Sequence, residues 1–221
     1  MDVNVARMKM FLALTGALAI LWVLVGGEAL SAPSPRSSPA LSSFANAWVA
    51  VTAYNATITV FEQKGVKIQN MVFKYTFRKP STVTVDVVGG RNSGVALLWT
   101  GGTTVSAHRS GAAGMFKETL SLRDPQLTTI RGSSIDELSF AQILVHVQQT
   151  PGKISQAPGL EINDVATDAV TLTPSHPVSD AGYTREVLEI SRTTHFPLRV
   201  LGYQGATLVR KIDFVDVQFT H

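Results

Sequence analysis

Residues 66–88, VKIQNMVFKYTFRKPSTVTVDVV, decide how this chain is read. Between Val66 and Lys79 the side chains of Met71, Phe73, Tyr75 and Phe77 fall on every second residue, with Lys74, Thr76 and Arg78 between them. Side chains in a strand alternate between faces, so the aromatic set shares one face and the polar set takes the other. Pro80 lacks the N–H that a ladder needs and stops the strand. The pattern resumes in Ser81–Val88, where Val83, Val85 and Val87 alternate with Thr82, Thr84 and Asp86. Two such strands joined by so short a connection pair antiparallel.

The reading extends outward from there. Tyr54–Gln63 (YNATITVFEQ) is a strand that turns into Val66 through Lys64-Gly65. Before it, Leu41–Thr52 reads as a short helix, with Ser42 or Ser43 as the cap and Phe44, Ala47, Trp48 and Val51 at helical spacing. Downstream, Gly89–Gly94 is a turn. Val95–Trp99 and Thr103–His108 form a hairpin across Gly101-Gly102, and Met115–Leu122 adds a strand. A second helix opens at Ser134, with Glu137 at capping-box spacing, runs through Leu138, Ala141, Ile143, Leu144 and Val147, and stops at Pro151-Gly152. A loop rich in Pro, Gly and Asp follows, enclosing one strand, Ala169–Thr173. Thr184–Ser191, Leu198–Tyr203 and Thr207–Phe219 close the chain as a meander. In the last of these, Ile212 and Phe214 share one face while Val215, Val217 and Phe219 share the other. The switch calls for a bulge near Phe214 or for burial of both faces.

Nine to eleven short-linked strands, two helices and no βαβ alternation give an α+β fold. A curved antiparallel sheet forms an incomplete (half) β-barrel, and the helices cover its concave face, because one side of such a sheet must be buried.

The chain has 221 residues, 45% of them hydrophobic, which suffices for a core and argues against disorder. It has no cysteine, which excludes disulfides, thiolate metal sites, a cysteine nucleophile and lipidation at a cysteine. The net charge of +3 is scattered rather than clustered, so no nucleic-acid partner is expected. Residues 1–32 read as a secretory signal. Arg7 and Lys9 precede the uncharged run 10–25, and small residues follow, with cleavage after Ala29 or after Ala32. The run is shorter than the ~20 residues that span a bilayer, and an uncleaved anchor is the alternative. Either way the rest is periplasmic or at the cell surface. Residues 33–40 form a Pro/Ser linker, and residues 41–221 the folded domain. Arg7 and Lys9 cancel Asp2 and Glu28, so the +3 belongs to the exported part.

Catalytic constellations are missing from the sequence: it contains no HExxH, no GxSxG and no phosphate-cradling loop. No enzyme activity, metal or cofactor is expected. Glu161, Asp164 and Asp168 form an acidic stretch without the ligand spacing of a calcium loop. The functional candidate is apolar. Met71, Phe73, Tyr75, Phe77, Val83, Val85, Leu98 and Trp99 could line a cavity for an acyl chain, and the same stripe is also what an ordinary core looks like. Arg78 and Lys79 would then stand at its rim, where they could meet a lipid phosphate or an acidic partner.

Helix, long meander, helix and closing meander is also an order that resembles the LolA-like outer-membrane lipoprotein-sorting family. The local wording that carries the resemblance is Phe77-Arg78-Lys79-Pro80, the hairpin Leu97–Val105 around Trp99 and Gly101-Gly102, and Phe196-Pro197-Leu198-Arg199 through Asp213–Val217. The resemblance implies a lipoprotein carrier whose helix-capped half-barrel holds acyl chains without catalysis, with a lipid or acylated lipoprotein and a membrane-associated protein as partners. An envelope sensor or protein-interaction module of the same fold is the alternative. In the carriers an arginine just before the proline helps control opening and closing. The matching residue here is Lys79, whose compact ammonium lacks the planar fork of arginine and is expected not to copy a multi-bond latch.

Overall fold

A computed structural model of the chain describes residues 38–109, 117–179 and 181–221. The expected signal segment 1–32 and residues 33–37 of the expected linker lie outside the described residues. Helix α1, Pro39–Ala50, starts earlier than expected. Ser38 caps it, its hydroxyl accepting from the Leu41 N–H at 3.2 Å. Pro39 occupies the first turn, where the missing N–H costs nothing. The last two residues of the expected linker therefore belong to the helix.

Strands β1 (Ala53–Lys64), β2 (Lys67–Arg78), β3 (Thr82–Gly89), β4 (Val95–Trp99), β5 (Thr104–Arg109) and β6 (Lys117–Ser121) follow in order. The expected second helix is split. Ile135–Leu138 is a single 3-10 turn, and α2 proper, Phe140–Gln149, is capped by Ser139, whose hydroxyl accepts from the Gln142 N–H. Ser134 makes no cap; its hydroxyl is spent on Asp136. The supposed Pro/Gly/Asp loop is mostly a hairpin of β7 (Gly152–Ile162) and β8 (Val165–Pro174). β7 hides from pattern reading because it is a largely exposed edge strand, with Pro158 at a break in its register. Strands β9 (Arg185–Ser191), β10 (Pro197–Gln204) and β11 (Thr207–Thr220) complete the chain.

All eleven strands form one antiparallel sheet in the order β6-β5-β4-β3-β2-β1-β11-β10-β9-β8-β7. The chain walks outward from β1 to one edge, crosses with α2, restarts at the opposite edge and walks back until β11 pairs with β1. That pairing sets Tyr54 against Phe219, Ile58 against Phe214 and Glu62 against Arg210. The sheet is not closed: β6 and β7 remain edges, and the result is an open α+β half-barrel with two helices. The bulge expected near Phe214 lies just beyond it. The register slips between Val215 and Gln218, with Asp216 at φ 53°. The extra residue turns Val217 and Phe219 onto the core that Ile212 and Phe214 already face.

The core's centre is aromatic. The Phe140 ring, at the start of α2, lies 4.7 Å from Tyr54 (β1), 4.8 Å from Phe214 (β11), 5.2 Å from Phe196 and 6.2 Å from Phe44 (α1). Its backbone N–H donates to the Tyr54 hydroxyl at 3.2 Å. Burial raises the Tyr54 phenol well above its ordinary value, against that hydrogen bond, so it stays protonated. Phe140→Ala is expected to cost ~3–5 kcal/mol of unfolding free energy in a urea titration. Val49→Ser, at a side chain 77% exposed, is expected to change it by less than ~0.5 kcal/mol.

Candidate functional site

Seven of the eight residues expected to line an apolar wall face the interior and are buried: Met71, Phe73, Tyr75, Phe77, Val83, Val85 and Trp99. The eighth is a correction. Leu98 points to the opposite face and is 39% exposed, and its neighbour Leu97 is the buried one, because Trp99 and Leu97 keep the two-residue step. The helices and the segment before α2 press directly on the buried wall. Trp48 of α1 packs 5.4 Å from Phe77, and the Tyr75 hydroxyl donates to the Ile135 carbonyl at 3.1 Å.

The two rim candidates part company. Arg78 is exposed, on the outward step of β2. Lys79 turns onto α1: its Nζ donates to the carbonyls of Trp48 at 2.7 Å and Val49 at 3.1 Å and lies 4.6 Å from the centre of the Trp48 ring. These carbonyls belong to the last turn of α1, where helical partners run out. An ammonium carries three donors, so Lys79 does make a multi-bond contact, contrary to the expectation drawn from its missing fork.

An open cavity of about 400 Å³ lies elsewhere, between α2, the strands β9–β11 and the segment 123–137. Its apolar floor comes from Ile143 and Val147 of α2 and from Leu188, Val200 and Ile212 of the sheet. Charged and polar groups surround that floor. Glu62, Arg210, Gly202 and Glu186 stand side by side across β1, β11, β10 and β9. Gly202 matters to this row: a Cβ there would meet the Tyr183 ring at 2.7 Å, so the missing side chain is what admits the ring. Glu62 is wholly buried, accepts from the Arg131 N–H at 3.0 Å and lies 3.7 Å from the Arg210 Nε. Burial opposes charge on Arg210, but the Tyr183 phenol and the carboxylates of Glu62, Glu186 and Glu137 outweigh it and hold the guanidinium protonated. Glu186 meets the His146 Nε2 at 2.6 Å, and Arg123 pairs with Glu137 and Asp136.

A smaller pocket of about 210 Å³ opens further along β11, between Phe196, Leu198, Phe214, Val217 and Phe219. The acidic stretch spans a hairpin: Glu161 is on β7, Asp164 in the turn, and Asp168 on β8, accepting from the Arg192 Nε at 3.0 Å. Among the described residues no group of three His, Asp or Glu side chains is placed to hold a metal, and no helix is long and apolar enough to cross a membrane.

The charged row is the part that pattern reading missed. The signal existed in β1, where Glu62 falls in step with Tyr54, Ala56, Ile58 and Val60 on the buried face. Arg131, Tyr183, Glu186 and Arg210 come from distant segments, and only the sheet order brings them together.

No protein-family model matches the chain, and no curated protein matches it by sequence. Solved structures do match. A LolA superfamily protein from Nitrosomonas europaea shares 11% identity over 84% of this chain and 95% of that one, at a TM-score of 0.40. Lipoprotein LppX from Mycobacterium tuberculosis shares 14% identity, covering 82% and 96%, at 0.43. LprF from Mycobacterium bovis shares 12% identity, covering 83% and 94%, at 0.45. All three are likenesses of fold at low identity.

Proposed function

We propose that this protein is an exported, non-catalytic binding protein of the periplasm or cell surface that holds an acyl chain of a lipid or lipoprotein between α2 and the sheet. The observation that carries the reading is the cavity of about 400 Å³ with an apolar floor of Ile143, Val147, Leu188, Val200 and Ile212. Ligand sites are concave and set placed polar groups beside apolar surface; here polar and charged groups make up about half of the lining. Each CH₂ of a chain laid on that floor contributes ~0.8 kcal/mol, so a chain is held firmly and released reversibly. Transport or sorting of a lipoprotein follows if the helices move to let the chain in and out. Lys79 gives that movement a point of control, because it fastens the end of α1 to the end of β2.

The cavity, rather than the aromatic wall of β2 and β3, is the place to test. Purified protein is expected to carry co-extracted lipid and to take up a fluorescent fatty acid. Val200→Phe, which fills the floor, is expected to reduce uptake at least ~10-fold while the protein stays folded by circular dichroism. Unchanged uptake in that variant would remove this cavity as the site. Lys79→Met loses two charge-assisted bonds, worth ~1–3 kcal/mol together. It is expected to speed hydrogen exchange in the last turn of α1 and to accelerate probe release in stopped-flow measurements; release at the unaltered rate would show that α1 is not the moving part.

A further inference from the structure

The last strand is flanked for only part of its length. β10 follows β11 as far as the pair Arg199–Asp213, whereas β1 follows it to Thr220. Among the described residues, the stretch 215–220 has a strand on one side only. The cause is the β9–β10 turn. There the Phe196 carbonyl accepts from the Ser191 N–H at 3.0 Å and the Phe196 ring is buried in the core, so the chain folds inward instead of continuing beside β11. A strand edge with unpaired N–H and C=O groups is a template for another strand.

The pocket of about 210 Å³ borders this free half and shares no lining residue with the larger cavity. The rings of Phe196 and Phe219, 4.1 Å apart, line it. Val165, Leu198, Val217 and Phe219 are only half-buried there, so apolar surface is open beside the free edge. Successive side chains of an added strand point to opposite faces; alternate ones reach this surface and those between them face solvent.

Carboxylates surround the place. Among the described residues, Glu161 on β7, Asp164 in the β7–β8 turn and Asp216 at the β11 bulge are exposed and form no ion pair. The cations nearby are engaged, Arg192 with Asp168, and Arg199 and Lys211 with Asp213. Taken together, five carboxylates stand against three cations. On the outer face Lys74 donates to the Thr57 hydroxyl at 2.9 Å and stands opposite Asp86 on β3. The surplus is negative and favours a cationic segment. A second copy of the chain would bring the same acids against these, which disfavours self-pairing of β11.

We propose that residues 215–220 take an extended segment of another protein as an added strand, with apolar residues toward the pocket and lysine or arginine at the positions between. The main-chain ladder holds the segment, the pocket selects its apolar residues, and Glu161, Asp164 and Asp216 select its charge. The site does not depend on what the larger cavity holds.

Fluorescence anisotropy of labelled hexapeptides with the full chain tests the assignment. A peptide of alternating lysine and valine is expected to bind at least about 10-fold more tightly than one of alternating glutamate and valine, and to weaken with added salt. Methylating the backbone nitrogens of either the lysines or the valines removes the donors from one edge of the peptide. One of the two methylated peptides is expected to lose binding and the other to keep it. Asp164→Asn combined with Asp216→Asn removes charge but keeps the backbone, since φ is 61° and 53° at these positions and asparagine tolerates the left-handed region. That variant is expected to bind the lysine–valine peptide about 5-fold more weakly. The proposal is overturned if the lysine–valine peptide does not bind the folded protein, if the glutamate–valine peptide binds equally well, if both methylated peptides bind like the parent, or if the asparagine variant binds unchanged. A dimer in sedimentation that the peptide dissociates would also overturn it, by giving the edge to a second copy.

Discussion

The position of Phe140 is the contact on which the rest of the structure depends. The sheet is built from two meanders that start at opposite edges, and only the segment containing α2 passes from one to the other. Phe140 begins that helix and touches α1, β1, β11 and Phe196 at once. An open sheet of this size has one face that must be covered, and among the described residues two α-helices are available for it. Pinning α2 by an aromatic side chain at its first residue, and by a backbone N–H to the Tyr54 hydroxyl, fixes where the cover sits. The cavity lies along the same helix, bordered by Gln142, Ile143, His146 and Val147.

The interior is therefore divided. Under α1 and the start of α2 the space is filled by rings: Phe44, Trp48, Tyr54, Tyr75, Phe77 and Phe140. Farther along the same helix, Ile143 and Val147 pack with Leu188, Val200 and Ile212 in the buried core, and an open cavity edged by charged groups borders them. Buried charge is expensive and survives only where partners are at hand. The row Glu62, Arg210, Gly202, Glu186 provides them by strand register alone, and Gly202 leaves room for the Tyr183 ring. A core built for stability only would be better served by apolar residues in that row.

Much of this was legible beforehand. The two-residue alternation of Met71–Phe77 and Val83–Val87 placed β2, β3 and their inward faces correctly, because half-buried antiparallel strands print their burial into the sequence. The face reversal after Phe214 announced the bulge that Asp216 makes. Three things were not legible. Strand β7 has little buried on either face, so there is no alternation to see. The capping-box spacing of Ser134 and Glu137 is real, but Ser139 holds the cap of α2, since Ser134 is engaged by Asp136 and Arg123. The charged end of the cavity joins residues from β1, β9, β11 and the segments before α2 and β9; local pattern carries no information about which distant strands become neighbours.

The placement of β11 has a consequence for how the fold can come into being. It is last of the eleven strands in order and lies in the middle of the sheet, between β1 and β10. During synthesis each meander can form local hairpins as it emerges, yet β1 keeps an unpaired side until Thr207–Thr220 has arrived. The longest-range pairing closes last, and its loop-closure entropy must be met before the two halves hold each other. A chain arranged this way keeps its two half-sheets apart until Thr207–Thr220 has been made. Without β11 it presents two half-sheets with exposed edges at β1 and β10, which makes Thr207–Thr220 the stretch that separates a finished fold from an aggregation-prone intermediate.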